Sequence, residues 1–288
     1  RIAIPTESQE LERRHDLHRY LHDEIALALA QLGFTTSVHP NPEDANGPPI
    51  LVGHRHESDD RPTVLGYGHG DVVRGYDDQW RDGLSPWRLE EVGDRWYGRG
   101  TADNKGQHTI NLAAMANVLE TRGSLGFNST ILIETGEETG SPGLRTFCAE
   151  HITELTADVL LASDGPRLAP DRPTLFMGSR GALNFDLHLD LRDGGHHSGN
   201  WGGLLANPGV ILSHAIASMI GSNGEILVPE VRPDDVPASV SAAIRDLQAG
   251  GGDDAPAIDF DWGEPGLTPA ERVFGWNTLE VLAFTTGN

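Results

Sequence analysis

The chain has 288 residues, enough for one large or two ordinary domains with a substantial core. Its 43 Asp and Glu against 21 Lys and Arg leave a net charge of −22, and no basic run gives nucleic acid or an anionic membrane something to grip. A single cysteine, Cys148, excludes an intrachain disulfide framework and a thiolate zinc site. It points to a reducing, cytoplasmic setting, and no segment has the length of a membrane span or the layout of a secretory leader.

In chain order, Leu11, Leu17, Leu21, Ile25, Leu29 and Leu32 recur at helical spacing and Gly33 follows them, which predicts an amphipathic helix over 8–32. Short strands are predicted over 34–39, 49–53 and 62–68, and a hairpin over 87–97 turning at Gly93 and Asp94. A helix over 108–122, an apolar strand over 128–134, a helix over 142–151 and a fully apolar strand over 157–162 complete an α/β pattern. Such alternation implies a mainly parallel sheet covered on both faces, occupying residues 1–177 up to Met177. From Gly178 the segment GSRGALNFDLHLDLRD alternates with period two, as in a strand with one solvated face, and a helix is predicted over 207–220. Residues 178–288 therefore read as a second, smaller α+β domain, with a Gly-, Asp- and Pro-rich loop over 250–269. Cys148 lies in an apolar stretch and reads as core packing.

Four short strings carry the chemistry: GHGD (68–71), GRGTADNKG (98–106), TGEETGS (135–141) and ASDGP (162–166). Apolar strands run into His69, Glu137, Glu138 and Asp164, and ligands of parallel sheets gather at such carboxyl ends. Asp103 stands at a helix entry, where aspartate also serves as a cap. Asp71, two residues from His69, can orient a metal-binding imidazole and fix its tautomer. Adjacent acids at a bend point in different directions, so of Glu137 and Glu138 one can hold a metal and the other a proton. His69, Asp103 and Asp164 offer nitrogen and oxygen donors that suit zinc. A second ion would share Asp103, take Glu138 and still want one more ligand. GRGTADNKG lacks the spacing of a P-loop, so Arg99 and Lys105 do not signal a nucleotide site.

In this order and spacing, the strings over about residues 5 to 205 resemble the M20 family of dinuclear zinc aminoacylases, carboxypeptidases, dipeptidases and deacylases. The resemblance implies an α/β catalytic domain with an inserted lid and dimerisation domain. It implies that His69 and Asp164 bind one zinc, that Asp103 bridges, and that Glu138 binds the other zinc. Asp71 then orients His69, and Glu137 is the general base that takes a proton from the attacking water and delivers it to the leaving amine. GGHHSGNWGG resembles the segment whose histidine, here His197, reaches the partner subunit's site and stabilises the oxyanion. Cobalt or manganese is compatible with the same donors.

The family's final ligand histidine has no counterpart in this chain: His188 and His214 fall inside predicted elements of the second domain. The expectation is a piece of a longer or nicked enzyme, with a short hydrolase or a non-catalytic metal-binding homologue as the other readings. The expected activity is cleavage of an amide bond in a small peptide or N-acyl amino acid by a homodimer with two zinc ions per site. An amidohydrolase acting on a non-peptide amide or amine is the rival within enzymes.

Overall fold

The structure, a computed structural model, describes residues 1–165, 173–176, 178, 180–247, 249–250 and 256–286. Pro166 of the fourth string, Met177 and Ser179 beside the expected boundary, and part of the expected loop over 250–269 lie outside them. The chain divides into two units, Arg1–Pro166 and Arg167–Asn288.

The leading helix is built from turns of different pitch: a 3₁₀ turn Leu11–Arg13, α1 (Arg14–Arg19), a π-helical stretch Tyr20–Ala26 and α2 (Leu27–Gln31). The apolar spacing selects its inner face, where Leu17, Leu21, Ile25 and Leu29 are buried, whereas Leu11 is 71% exposed. β1 (Thr35–His39), β2 (Ile50–Arg55) and β3 (Thr63–His69) follow, then the β4 (Glu90–Val92) and β5 (Arg95–Tyr97) hairpin, turning at Gly93 as expected. α3 (Lys105–Arg122), β6 (Asn128–Glu134), α4 (Leu144–Glu150), α5 (Ile152–Leu155) and β7 (Val159–Ala162) complete the first unit.

The five-stranded sheet has the order β1-β2-β6-β3-β7. β3 runs parallel to β6 and β7, but β1–β2 and β2–β6 are antiparallel, so the sheet is mixed. The reason is connection length and content: a parallel neighbour needs a crossover, usually a helix, and residues 40–49 between β1 and β2 contain none. Side-chain alternation sends Leu51 and Ile133 to a cluster with Tyr20, Leu21, Ile25, Leu29 and Leu112. It sends Ile50, Val52 and Leu132 to the opposite face, against Phe147, Leu155 and the partly buried Cys148. Helices thus cover both faces, as the apolar runs require. β7 departs from its expected burial. It is an edge strand, and Val159, Leu160 and Leu161 are exposed because no described element lies beyond it.

The described residues of the second unit include α6 (Ser198–Trp201), α7 (Pro208–Met219), a 3₁₀ turn Pro229–Val231, α8 (Ala238–Ile244) and α9 (Pro269–Phe274). α7 starts where expected because the Asn207 side chain accepts the Val210 N–H and Pro208 occupies the first turn. α9 carries a capping box between Thr268 and Glu271. The described residues of the period-two stretch 178–193 form no ladder, and Leu183, Phe185 and Leu187 are exposed. Alternation selects a face only where a neighbouring strand supplies backbone partners, and none lies among the described residues. No helix among the described residues is long and apolar enough to cross a membrane.

Candidate metal centre

The centre grows from strand ends. β3 delivers His69, fully buried, opposite Glu134 at the end of β6 in parallel register. The Gly70 N–H then donates to the Glu134 carbonyl (2.8 Å), bending the chain toward Asp71. A Cβ on Gly70 would sit 2.6 Å from the Tyr20 ring, so the bend is packed too tightly for any larger residue. β6 leads into a 3₁₀ turn, Glu137–Thr139, β7 leads to Asp164, and Asp103 precedes α3.

His69 Nδ1 lies 3.1 Å from the Asp71 carbonyl and 3.3 Å from Asp71 Oδ1. The carbonyl can only accept, so Nδ1 carries the hydrogen and Nε2 is left to face outward. Nε2 lies 2.9 Å from Asp103 Oδ1, 3.5 Å from Asp164 Oδ1 and 3.9 Å from Glu137 Oε2. Asp71 is itself fully buried, and its oxygens also accept the backbone N–H groups of Glu137 (3.2 Å) and Glu138 (3.1 Å). One carboxylate therefore orients the imidazole and holds the turn bearing both glutamates.

Two groups of side chains converge closely enough to hold a cation: His69 with Asp103 and Asp164, and His69 with Glu137 and Glu138. The donor set fits such an ion on electrostatic grounds. Burial pushes Glu138 up to about 7, with the Asp103 charge adding to the effect. Burial likewise raises Glu137, and Asp164, Asp71 and Asp103 push it further. Burial works to lower His69, yet Asp164 and Asp71 outweigh it and raise the ring to about 11. The hydrogen bond from His69 in turn lowers Asp164. An Nε2 lone pair facing several carboxylates calls for positive charge, either a proton on the ring or a cation between the groups.

The structure adds partners that the four strings did not reveal. Asn104 is fully buried; its Oδ1 accepts from the His69 N–H (3.2 Å), and its Nδ2 donates to Asp164 Oδ1 (3.0 Å) and to the Ser163 carbonyl. His108 Nδ1 lies 3.1 Å from the same Oδ1, so that nitrogen carries the hydrogen, and Nε2 accepts from the Tyr20 hydroxyl at 2.6 Å. Burial lowers His108 to about 3 and raises Tyr20, keeping both neutral. Glu134 Oε1 accepts from Tyr67 (2.7 Å) and Ser141 (2.8 Å), and burial raises its carboxyl. Lys105 is buried, donates to the Ile4 carbonyl (2.7 Å) and lies 4.9 Å from the Tyr20 ring centroid, so it anchors the N-terminal segment. A polar residue at helical spacing inside an apolar pattern, as His108 is in α3, was the available signal.

His69, Asp71, Asp103, Glu137, Glu138 and Asp164 are thus brought together within the first unit. His197 belongs to the second unit, where it is exposed and precedes α6, while His196 packs edge-on against Trp201.

Comparison with known proteins gives a match over residues 65–270 to the family described as Peptidase family M20/M25/M40. The cysteinylglycine-S-conjugate dipeptidase of Corynebacterium striatum is 30% identical over 280 residues, covering 92% of this chain and 59% of that protein. The Beta-Ala-His dipeptidase of Mus musculus is 33% identical over 187 residues, covering 64% of this chain and 38% of that protein. Among solved structures, human carnosine dipeptidase 1 superposes with a TM-score of 0.67 at 25% identity, over 86% of this chain and 54% of its own. The chain spans about half the length of the relatives it matches.

Proposed function

This chain belongs to peptidase family M20/M25/M40, and we propose that it is the metal-dependent hydrolytic part of an enzyme that cleaves the amide bond of a small peptide or N-acyl amino acid. The dipeptidases it resembles favour dipeptides as the first substrates to examine. The observation that carries the reading is the buried His69, its Nδ1 held by Asp71 and its Nε2 facing Asp103 and Asp164, with Glu137 beside it.

Zinc fits the donors: His69 and Asp164 would hold one ion, Glu138 a second, and Asp103 both. When bound, the metal polarises the scissile carbonyl and lowers the pKa of water. The protein's own contribution is positioning and proton transfer. Asp71 keeps the imidazole in one tautomer and sets the Glu137–Thr139 turn. Glu137, its carboxyl raised by burial, takes a proton from the water whose oxygen adds to the carbonyl carbon. It returns that proton to the amine nitrogen as the C–N bond breaks, so water is divided between the two products. Residues 1–177 form the catalytic domain in this reading, and 178–288 form a lid through which a homodimer assembles, with His197 stabilising the oxyanion.

Glu137→Gln tests the assignment. It preserves shape and removes the base, so turnover of a dipeptide should fall by about a thousandfold. Zinc content, measured by elemental analysis on the same sample, should stay at the parent level. A variant that keeps its zinc and its turnover would falsify the role of Glu137.

A further inference from the structure

Residues between Asp71 and Asp103 line an open pocket of about 300 Å³, whose walls include none of the side chains of the candidate metal centre. Tyr76, Trp80 and Tyr97 give it aromatic walls, and Gln79, Arg81 and Arg99 are its polar groups. Each arginine is set over a ring: Arg99 lies 5.8 Å from the Trp80 centroid and Arg81 lies 5.1 Å from that of Tyr97. Cation–π contact holds a guanidinium by its face and leaves its N–H edge available.

Arg99 uses little of that edge. Its Nη2 makes one long hydrogen bond to the Gly75 carbonyl (3.5 Å), and its buried Nε has no partner among the described residues. Neither Arg81 nor Arg99 is in an ion pair among the described residues, although the chain carries 43 acidic side chains. Elsewhere in the same unit, Arg13, Arg19, Arg55, Arg61, Arg74 and Arg88 each sit against a carboxylate. Acids are also near in sequence: Asp77, Asp78 and Asp82 flank these residues but are exposed and do not line the cavity. A buried guanidinium N–H without an acceptor is costly, and a planar fork is matched by a carboxylate. Aromatic walls with a few convergent polar groups are the makeup of a small-molecule site.

We propose that this cavity binds a small monocarboxylate with a flat, apolar body, the carboxylate held by Arg99 and Arg81 and the body against the aromatic rings. The site is separate from the proposed reaction and does not depend on it. Because Trp80 Nε1 donates to the Gly75 carbonyl (2.7 Å), its indole N–H is a reporter at the cavity wall. The test titrates the full chain, with and without zinc, with benzoate, benzamide and benzylamine. The Trp80 indole resonance, identified among the six tryptophans with Trp80→Phe, is followed by ¹H–¹⁵N NMR. Benzoate should give a saturable shift of that resonance in both metal states, and benzamide and benzylamine should bind about tenfold more weakly or not at all. Arg81→Gln and Arg99→Gln should each weaken benzoate by about tenfold, with Arg99→Lys intermediate because it keeps charge but loses the fork. The proposal is overturned if Trp80 does not respond up to about 50 mM benzoate, if benzamide binds equally well, or if both glutamine variants stay within about twofold of the parent. Should Arg99→Gln not fold, Arg81→Gln decides alone, since Arg81 is exposed and its ring contact lies at the surface-facing side chain itself.

Discussion

His108 illustrates how a side chain outside the candidate metal centre sets its geometry. It is buried and neutral, donating to Asn104 and accepting from Tyr20, while Asn104 holds the His69 backbone and the Asp164 carboxylate. Burial lowers its pKa to about 3, so between that value and the ordinary histidine value of about 6.5 the unfolded chain binds the extra proton. Stability contributed by this group is therefore complete above about pH 6.5 and is lost as pH falls toward 3. His39 and His18, also lowered by burial, act in the same direction. Urea unfolding from pH 7 to 4 should show a declining free energy, and His108→Gln should be less stable at pH 7 with a shallower decline. A parallel decline in parent and variant would remove His108 from the account. The pairing of His69 with Asp71 was legible from two residues of spacing. The Tyr20–His108–Asn104 chain was not, because it joins positions 88 residues apart that only the fold brings within hydrogen-bond reach.

At the scale of elements, periodicity and punctuation located nearly every helix and strand of the first unit, because burial of one face is a local property of the chain. Strand direction and edge position were not legible, since both depend on which neighbour is present. The antiparallel β1 and β2 and the exposed β7 are the two places where that shows. The entry to α3 was also shifted: it begins at Lys105 rather than 108, with Asn104 as its cap residue and Asp103 just before it. Gly106 is what permits this start, for its N–H donates to the Gly100 carbonyl (2.9 Å) and a Cβ there would land on the Thr101 carbonyl. Gly106→Ala must displace backbone beside Asp103, so it should cost at least about 2 kcal/mol. Zinc affinity should weaken with it. Thermal unfolding and zinc titration of the variant check both, and an unchanged midpoint would show that the loop yields freely.

For the whole molecule, a net charge of −22 is spread over a chain with too few bases to neutralise it. Long-range repulsion should then limit stability at low ionic strength, and screening should relieve it. The unfolding midpoint should rise between about 20 and about 200 mM sodium chloride, whereas a falling midpoint would mean that local ion pairs outweigh the excess charge. Four of the carboxylates gather around one imidazole, that of His69. His69 belongs to both cation-holding groups, yet Nδ1 is committed to Asp71 and only Nε2 remains to be given. Between the two candidate groups there is one imidazole nitrogen to share. In the proposed two-ion reading, the ion that takes the imidazole gains a borderline nitrogen ligand, and these two groups offer the other carboxylate oxygens. The two positions would therefore fill at different concentrations of the same ion, and a mixture of metals would sort itself between them.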